Sequence, residues 1–500
     1  MPPHHPLLRT EALRALEQGA AAGLPPGTLM TRAGQAAAEW ATRIGSDRPG
    51  PIWVLAGPGN NGGDALVTAA GLRRHGHQVE LALLADPSHY QGDAAAAWQR
   101  WQGPVRHNLD GIEHAAMIID GLYGIGLNRP LPTRAAAWVD RVNQHREASG
   151  RQPHPCPVLA LDVPSGLQAD TGALAGAQAI RATHTITFLA DKPGLHTLDG
   201  PDHAGTVEVA SLGVSIPDGP GLLNHPDLFA PAARPRPRNT HKGLYGNCAV
   251  LGGQHGMVGA ALLAGRAALH AGAGRVTLQL LASDAPLVDP VQPELMLRRQ
   301  GDDSPIDALV AGPGLGTDPD ARAALGRALP REAPLVLDAD ALNLIATDPA
   351  LALGLRARAE ATILTPHPLE AARLLHTDVG TVQSDRIAAA LALAQAHGAC
   401  VILKGAGSVI ATPDGRWVIN PTGNAGLSTA GTGDVLAGLL GALLAQGWSA
   451  RAAALGATWL HGHAADQLVQ AGIGPIGMVA GELIPALRRA LNALTRRPLH

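Results

Sequence analysis

Residues 52–64 read Ile52-Trp53-Val54-Leu55-Ala56-Gly57-Pro58-Gly59-Asn60-Asn61-Gly62-Gly63-Asp64, and a helical stretch follows from Ala65. A short apolar run, a glycine-rich turn and a helix in that order make the opening of a βαβ unit, which belongs to a parallel sheet. Glycines let backbone N–H groups approach an anion closely, and the helix presents its positive end at the same place. The pattern is not the dinucleotide GxGxxG in its usual setting. Two asparagines and an aspartate add side-chain donors and acceptors, which points to a polar group or a cation as well as phosphate. The competing reading is an Asx-rich turn with Asp64 as a helix cap.

The same alternation runs outward through most of the chain. In the first half strands are expected at Ile52–Ala56, Val79–Leu84, Met117–Asp120, Val158–Asp162, Thr185–Phe188 and Thr206–Val209. In the second they are expected at Cys248–Leu251, Arg275–Leu280, Ala308–Ala311, Leu335–Asp338, Thr362–Leu364 and Val401–Leu403. The class is therefore α/β, twice over. A chain of 500 residues exceeds a single core. The Pro- and Gly-dense segment 216–238, in which Pro235 and Pro237 alternate with Arg234, Arg236 and Arg238, is the expected connection between domains 1–215 and 239–495.

Composition narrows the function. Lys and Arg total 38 against 41 Asp and Glu, a net charge of −3 that offers no broad basic field for nucleic acid or an anionic membrane. Hydrophobic residues reach 46% while aromatics stay at 3%, so the cores are to be built from small aliphatic side chains, as where helices pack closely on parallel sheets. The Ala-rich helices would pack within one subunit or between copies in a homo-oligomer. Three widely spaced cysteines, Cys156, Cys248 and Cys400, suit a reducing compartment and form neither a disulfide framework nor a CxxC metal site. No apolar stretch reaches the ~20 residues of a membrane span, and the His- and Pro-bearing start lacks a signal core. The expected location is the cytoplasm.

Two further segments leave expected strand ends in the first half, where open parallel sheets place ligands. One is Asp120-Gly121-Leu122-Tyr123-Gly124-Ile125-Gly126-Leu127-Asn128-Arg129, the other Asp162-Val163-Pro164-Ser165-Gly166-Leu167. With Arg14, Glu17 and Leu29–Gly34, these segments resemble the YjeF N-terminal domain of the NAD(P)H-hydrate epimerases, over about residues 1–215. The resemblance implies a Rossmann-like α/β/α fold that interconverts the R and S forms of hydrated NADH and NADPH (NADHX and NADPHX). By it, Asn60, Asn61, Gly62, Gly63 and Asp64, the loop Gly124, Ile125, Gly126, Leu127, Asn128 and Arg129, and Asp162 bind substrate. A potassium ion falls to Asn61, Asp120 and Ser165, an all-oxygen set suited to a hard cation. Lys192, in Asp191-Lys192-Pro193-Gly194, matches the lysine of the family's KPG segment. Departures from the family pattern are Ala65 and Ile125, where Gly and Thr are usual. Loss of hydroxide from C6 and return of water on the other face need an acid/base group, and Asp162 assisted by Lys192 is the expected one.

In the second half, Asn424-Ala425-Gly426-Leu427-Ser428-Thr429-Ala430-Gly431-Thr432-Gly433-Asp434 precedes a long helical run from Val435. Backbone N–H groups of such a turn stabilise charge on a transferring phosphoryl group, and the neighbouring carboxylate accepts the proton of the attacking hydroxyl. Lys404-Gly405-Ala406-Gly407-Ser408, Thr365-Pro366-His367-Pro368-Leu369-Glu370 and Gly312-Pro313-Gly314-Leu315-Gly316 each follow an expected strand. The set resembles the YjeF C-terminal domain, the ADP- or ATP-dependent NAD(P)H-hydrate dehydratases of the ribokinase-like fold. The resemblance implies that Ala260, Gly314, His367 and Asp434 contact the hydrated cofactor, that Lys404, Gly405, Ala406, Gly407, Ser408 and Gly433 hold ADP, and that Mg²⁺ accompanies the nucleotide. Asp434 is the implied catalytic base. Leu369 stands where the family usually has Gly. Because GTGD turns are found across ribokinase-like folds, the alternative is a vitamin or sugar kinase with a non-catalytic nucleotide-binding first domain.

Overall fold

The computed structural model describes residues 6–45, 47–299 and 304–495. The first five residues, which open the expected first domain and its His- and Pro-bearing start, lie outside the described residues. The chain divides into two units, one over residues 5–219 and one from Pro220 onward.

The first unit holds a seven-stranded parallel sheet of β1 (Ile52–Ala56), β2 (Val79–Leu83), β3 (Val105–Arg106), β4 (Met117–Gly121), β5 (Val158–Leu161), β6 (His184–Phe188) and β7 (Thr206–Ala210), in the order β3-β2-β1-β4-β5-β6-β7. Strand β1 is buried along its whole length, as a central parallel strand covered on both faces must be. Because β1 pairs with both β2 and β4, the strand order reverses beside it, and a crevice opens at the carboxyl ends of β1 and β4.

Three helices shape that crevice: α1 (Thr10–Ala22), α2 (Thr28–Ile44) and α3 (Asn60–Arg74). Helix α3 starts at Asn60 with Gly59 as N-cap, a turn earlier than the helical run expected from Ala65. Close packing explains the early start. A Cβ on Gly57 would stand 1.8 Å from the Leu122 carbonyl oxygen, and one on Gly62 would stand 1.8 Å from that of Gly57, so α3 begins directly on the strand ends. Small residues also let helices approach one another: a Cβ on Gly34 of α2 would meet Val67 of α3 at 2.4 Å.

The second unit holds a ten-stranded sheet of β8 (Gly221–Leu223), β9 (Asn247–Gly252), β10 (Arg275–Leu280), β11 (Met296–Arg299), β12 (Ala308–Ala311), β13 (Leu335–Leu337), β14 (Thr362–Leu364), β15 (Cys400–Leu403), β16 (Val409–Ala411) and β17 (Trp417–Ile419). The order is β11-β10-β9-β12-β13-β14-β15-β16-β17-β8, with β16 antiparallel to its neighbours. Here too the order reverses beside the unit's first central strand, between β9 and β12. The helix Thr432–Ala445 lies almost wholly inside, and a Cβ on its Gly438 would fall 2.0 Å from the Ala264 carbonyl oxygen. Its buried Leu436, Leu439, Leu440 and Leu443 each contribute roughly 1.5–3 kcal/mol of burial.

Two expectations need correction. The segment 216–238 is not only a connection: β8 pairs in parallel with β17, and Phe229 is buried in the second unit's core. Pro226 and Pro231 sit in one-turn helices, where a missing N–H costs nothing. The strand series are also longer than expected, since β3, β8, β11, β16 and β17 are added. These are strands of two to four residues, and β3 and β11 are half-exposed edges without a continuous apolar run.

Candidate functional sites

In the first unit, a cavity of about 510 Å³ lies where the strand order reverses. It is lined by Asn60, Asn61 and Asp64 of α3, by Gly124, Ile125, Gly126 and Leu127 after β4, and by Asp162 after β5. Leu13, Arg14, Glu17 and Ala21 add one face of α1, at helical spacing.

Asp162 takes a left-handed backbone conformation with φ of 68°, uncommon for a residue with a Cβ. Its backbone N–H donates to the Ile186 carbonyl at 2.7 Å, and its Oδ2 accepts from the Ile125 N–H at 3.3 Å. Its Oδ1 pairs with Lys192 Nζ at 2.8 Å. That lysine is 1% exposed and also donates to Thr187 Oγ1, the Phe188 carbonyl and the Ala190 carbonyl at 2.6, 3.0 and 3.1 Å. Lys192 does not line the cavity; it holds Asp162 rather than reaching a ligand. Burial raises the pKa of Asp64 well above the usual carboxylate range, with the neighbouring Asp162 and Glu17 adding to the effect. Burial likewise raises Glu17, reinforced by Asp162 and opposed by Lys192 and Arg14.

Beside the cavity, Asp120 is fully buried at the end of β4. It accepts from the Ser165 N–H at 2.8 Å, the Ser165 hydroxyl at 2.7 Å and the Leu122 N–H at 3.1 Å. Burial lifts it to about 6 against those bonds. Asn61 is buried with neither its side-chain oxygen nor its nitrogen hydrogen-bonded, an expensive state that a bound ligand would relieve. A Cβ on Gly124 would stand 2.8 Å from Asp162 Oδ2 and 3.5 Å from Asn61 Cγ, so these three positions share one corner.

Four of the residues expected to bind substrate fall elsewhere. Gly62 and Gly63 are buried against Gly57 and Met30, where a side chain has no room, and they do not line the cavity. Asn128 and Arg129 are exposed and do not line the cavity.

The second unit gathers its motifs at the carboxyl ends of β12 to β15. Asp434 lies in the first turn of the helix capped by Gly431, whose φ is 88°. Burial raises Asp434 to about 7, with Asp338 and Asp340 adding and Lys404 opposing. Lys404 Nζ pairs with Asp338 Oδ1 at 2.7 Å and lies 3.9 Å from Glu370 Oε2; burial would lower this lysine, yet the surrounding carboxylates hold it above its usual value. Thr365 Oγ1 donates to Asp338 Oδ1 at 2.8 Å, and the Gly316 N–H donates to Asp340 Oδ2 at 2.9 Å. A Cβ on Gly433 would sit in ordinary contact 3.5 Å from Lys404 Nζ, while one on Gly314 would stand 2.4 Å from the Met257 carbonyl oxygen and 3.2 Å from the Ala260 Cβ, so Gly314 marks a close approach.

His367 has a structural duty as well as a position at the site. Its Nδ1 accepts the Leu369 and Glu370 N–H groups at 3.1 and 3.2 Å, capping the helix Pro368–Leu374. Burial lowers its pKa and Lys404 reinforces the shift, consistent with an unprotonated Nδ1. Glu370 accepts the His367 N–H at 2.8 Å and is lifted by burial to about 7. In the Lys404–Ser408 turn, Ser408 Oγ donates to the Gly405 carbonyl at 3.0 Å, and Ala406 and Gly407 lie at its tip. Beneath it the buried Arg386 donates to the Leu403 and Lys404 carbonyls at 3.1 and 3.2 Å.

Asp338, Asp340 and Arg386 were missed as site residues. Asp338 carries the same signal as Asp120 and Asp162, an acid directly after an apolar strand. Arg386 comes from a distant helix and carries no sequence signal.

A family model described as NAD(P)H-hydrate dehydratase matches residues 248–489, and one described as YjeF-related protein N-terminus matches 26–194. A bifunctional NAD(P)H-hydrate repair enzyme of Escherichia coli (strain K12) is 38% identical over 486 residues, covering 94% of this chain and 90% of that protein. An ADP-dependent (S)-NAD(P)H-hydrate dehydratase of Neisseria meningitidis serogroup B is 43% identical over 284 residues, 55% of this chain and 93% of that one. The solved structure of a ribokinase-like superfamily protein from Enterococcus faecalis V583 matches with a TM-score of 0.50 at 23% identity, covering 57% of this chain and 99% of that chain, a likeness of fold.

Proposed function

The chain belongs to the bifunctional NAD(P)H-hydrate repair enzymes, and from that membership we propose that the first unit epimerises NADHX and NADPHX around Asp162 while the second dehydrates the S form around Asp434. What supports the division is that each unit gathers its own acids at the carboxyl ends of its sheet, with a half-buried Asp162 paired to Lys192 in the first and a half-buried Asp434 facing Lys404 in the second. The vitamin or sugar kinase alternative leaves the first crevice, with its carboxyls and its unsatisfied Asn61, without a use.

In the second unit, an ionised Asp434 takes the proton of the C6 hydroxyl as that oxygen attacks the terminal phosphoryl group of ADP, with ATP as the other candidate donor. Phosphate is a far better leaving group than hydroxide. As the C6–O bond breaks, the ring nitrogen supplies the electron pair, and loss of a C5 proton restores the dihydronicotinamide. The N–H groups of the first turn after Gly431 face the transferring group, and the Lys404–Ser408 turn receives the rest of the nucleotide. Among the described residues no three His, Cys, Asp or Glu side chains come together to hold a metal by themselves, so Mg²⁺ would be carried by the nucleotide phosphates, where it would supply charge neutralisation.

For potassium, the oxygens of Asn61, Asp120 and Ser165 fit a hard monovalent ion, and the unpaired Asn61 side chain is the observation behind that fit. When bound, the ion neutralises the buried Asp120 and orients an anionic ligand. No described helix is long and apolar enough to cross a membrane, and the three buried free cysteines favour a cytoplasmic setting.

The experiment mixes the chain with separated R and S forms of NADHX and with ADP or ATP, following the return of reduced-nicotinamide absorbance. Recovery of both forms supports the two-site reading. Recovery of the S form alone eliminates a working first site, and recovery of neither eliminates both.

A further inference from the structure

The epimerase chemistry leaves one demand that Asp162 does not meet alone. Hydroxide leaves C6 on one face of the ring and water returns on the other, so a proton must be given on one side and taken on the other. Asp162, Asp64 and Asn61 all reach the cavity from the strand ends and the start of α3. Two further carboxyls come from other walls, an exposed Asp93 and the half-buried Glu17. Glu17 lies on α1, on the face that also presents Leu13, Arg14 and Ala21 to the cavity, and it is half-buried.

The position of α1 is held from the Asp162 side. Leu8 N–H donates to the Asp191 carbonyl at 2.9 Å, one residue before Lys192. Asp170 Oδ1 accepts both the Thr10 N–H at 2.7 Å and the Thr10 hydroxyl at 2.8 Å, fixing the first turn of α1. The helix carrying Glu17 is thus tied to the loops that carry Asp162 and its lysine.

We propose that Glu17 is the second acid/base residue of the epimerase, working on the face of the nicotinamide ring opposite the one Asp162 serves. This rests on the epimerase reading of the first unit. With Glu17 protonated and Asp162 ionised, Glu17 gives its proton to the C6 oxygen. The C6–O bond breaks with its electron pair on oxygen, water departs, and the ring nitrogen lone pair forms the iminium. Water then adds from the other face and gives its proton to Asp162. The proton has moved from one carboxyl to the other, and the state so formed is the one the reverse direction requires. No oxidant or co-reactant is consumed. The groups facing Glu17 are Arg14 on its own helix, Asp64 of α3, Asp93, which lines the same cavity, Asp162, and Lys192 behind it. Burial, with Asp162 adding and Lys192 and Arg14 opposing, raises the pKa of Glu17, which favours a proton on Glu17 beside the Lys192-paired Asp162.

The test is Glu17→Gln in the full chain, with R-to-S conversion of purified NADPHX resolved chromatographically without nucleotide. The inference expects kcat to fall by a factor of 100 or more, KM to stay within about threefold, and the limb of the pH profile belonging to the acid to disappear. Glu17→Asp should restore part of the rate, which a packing defect would not allow. Conversion within threefold of the parent chain, a change in KM alone, or a pH profile keeping both limbs overturns the assignment. If the parent chain does not interconvert the two forms, the epimerase reading falls and takes this inference with it.

Discussion

Replacing Lys192 with Met keeps most of the side-chain volume and removes one buried charge, a perturbation whose cost can be worked from the contacts. Four oxygens lose their donor: Asp162 Oδ1, Thr187 Oγ1 and the carbonyls of Phe188 and Ala190. Removing one partner of a buried pair typically costs about 3–5 kcal/mol, because the other is left uncompensated. Against a usual domain stability of about 5–15 kcal/mol, the first unit should stay folded over most of that range yet open roughly 10²–10⁴-fold more often. Hydrogen exchange over residues 184–188 reads this directly, since strand β6 supplies two of the orphaned acceptors. A double-mutant cycle with Asp162→Asn separates the pair from packing, and the double variant should cost at least about 1 kcal/mol less than the two single changes together. Epimerisation should fall with Lys192→Met, while nucleotide-coupled dehydration of the S form continues in the other unit. A cost below about 1 kcal/mol, or strict additivity in the cycle, would show that Lys192 is not the support of Asp162.

The remaining expectations concern both sites. Asp434→Asn should lower nucleotide-coupled turnover by roughly 10²–10⁴-fold, measured with saturating ADP and the S form. Asp434 titrates at about 7 in the folded chain against an ordinary 3.8, so the rate should rise with pH through about 7 as the base ionises. The stability sign is opposite: the raised carboxyl favours the fold below pH ~4, and that contribution is lost as pH climbs through about 7. Asp340→Asn should move the rate limb to lower pH and Lys404→Met should move it higher, since these groups respectively raise and lower Asp434; unmoved limbs in the pH profiles would count against the cluster. Gly62→Ala places a Cβ 1.8 Å from a backbone oxygen and should destabilise the first unit by at least about 1–3 kcal/mol in urea unfolding, leaving the second unchanged. Asn61→Ala should abolish any dependence of epimerisation on potassium over sodium, read from rates in matched chloride salts.

What could be read from the sequence followed the strength of the local signal. Strands β1, β10, β12 and β14 fall on their expected residues; β1 and β12 are buried apolar runs followed directly by Gly, β10 alternates Val276, Leu278 and Leu280 with polar residues, and β14 is a short buried run ahead of Thr365-Pro366. The acids Asp120 and Asp162 were legible for the same reason, standing directly after such runs. Strand β8 was not, because three residues inside a proline-rich stretch acquire their pairing only from β17, nearly two hundred residues away. The glycines of the Asn60–Asp64 segment are ambiguous in a different way. A glycine that lets a ligand approach and one that lets another backbone approach look alike in sequence, and only the Gly57 carbonyl above Gly62 separates the two cases. Lys192 reads as a loop lysine after a strand, and its four buried acceptors come from tertiary folding.

The two units answer one chemical problem by the same electrostatic means. Each gathers more carboxyls than cations in a partly dry crevice: Glu17, Asp64 and Asp162 against Lys192 and Arg14 in the first, Asp338, Asp340, Glu370 and Asp434 against Lys404 in the second. A lysine that balances one carboxylate leaves the rest to repel each other, and burial then makes a retained proton the cheaper state. That is why Glu370 and Asp434 titrate near 7 rather than near 4, within reach of general acid/base work at neutral pH. The difference lies in what relieves the surplus. In the first crevice a proton passing between walls is enough, because epimerisation releases one water and takes up one, with no net change. In the second, an anionic nucleotide must enter beside carboxylates, so the N–H groups after Gly431, Lys404 and a nucleotide-borne cation have to outweigh them. The fold that binds phosphate thereby makes dehydration depend on a nucleotide, whereas the first crevice has no such need.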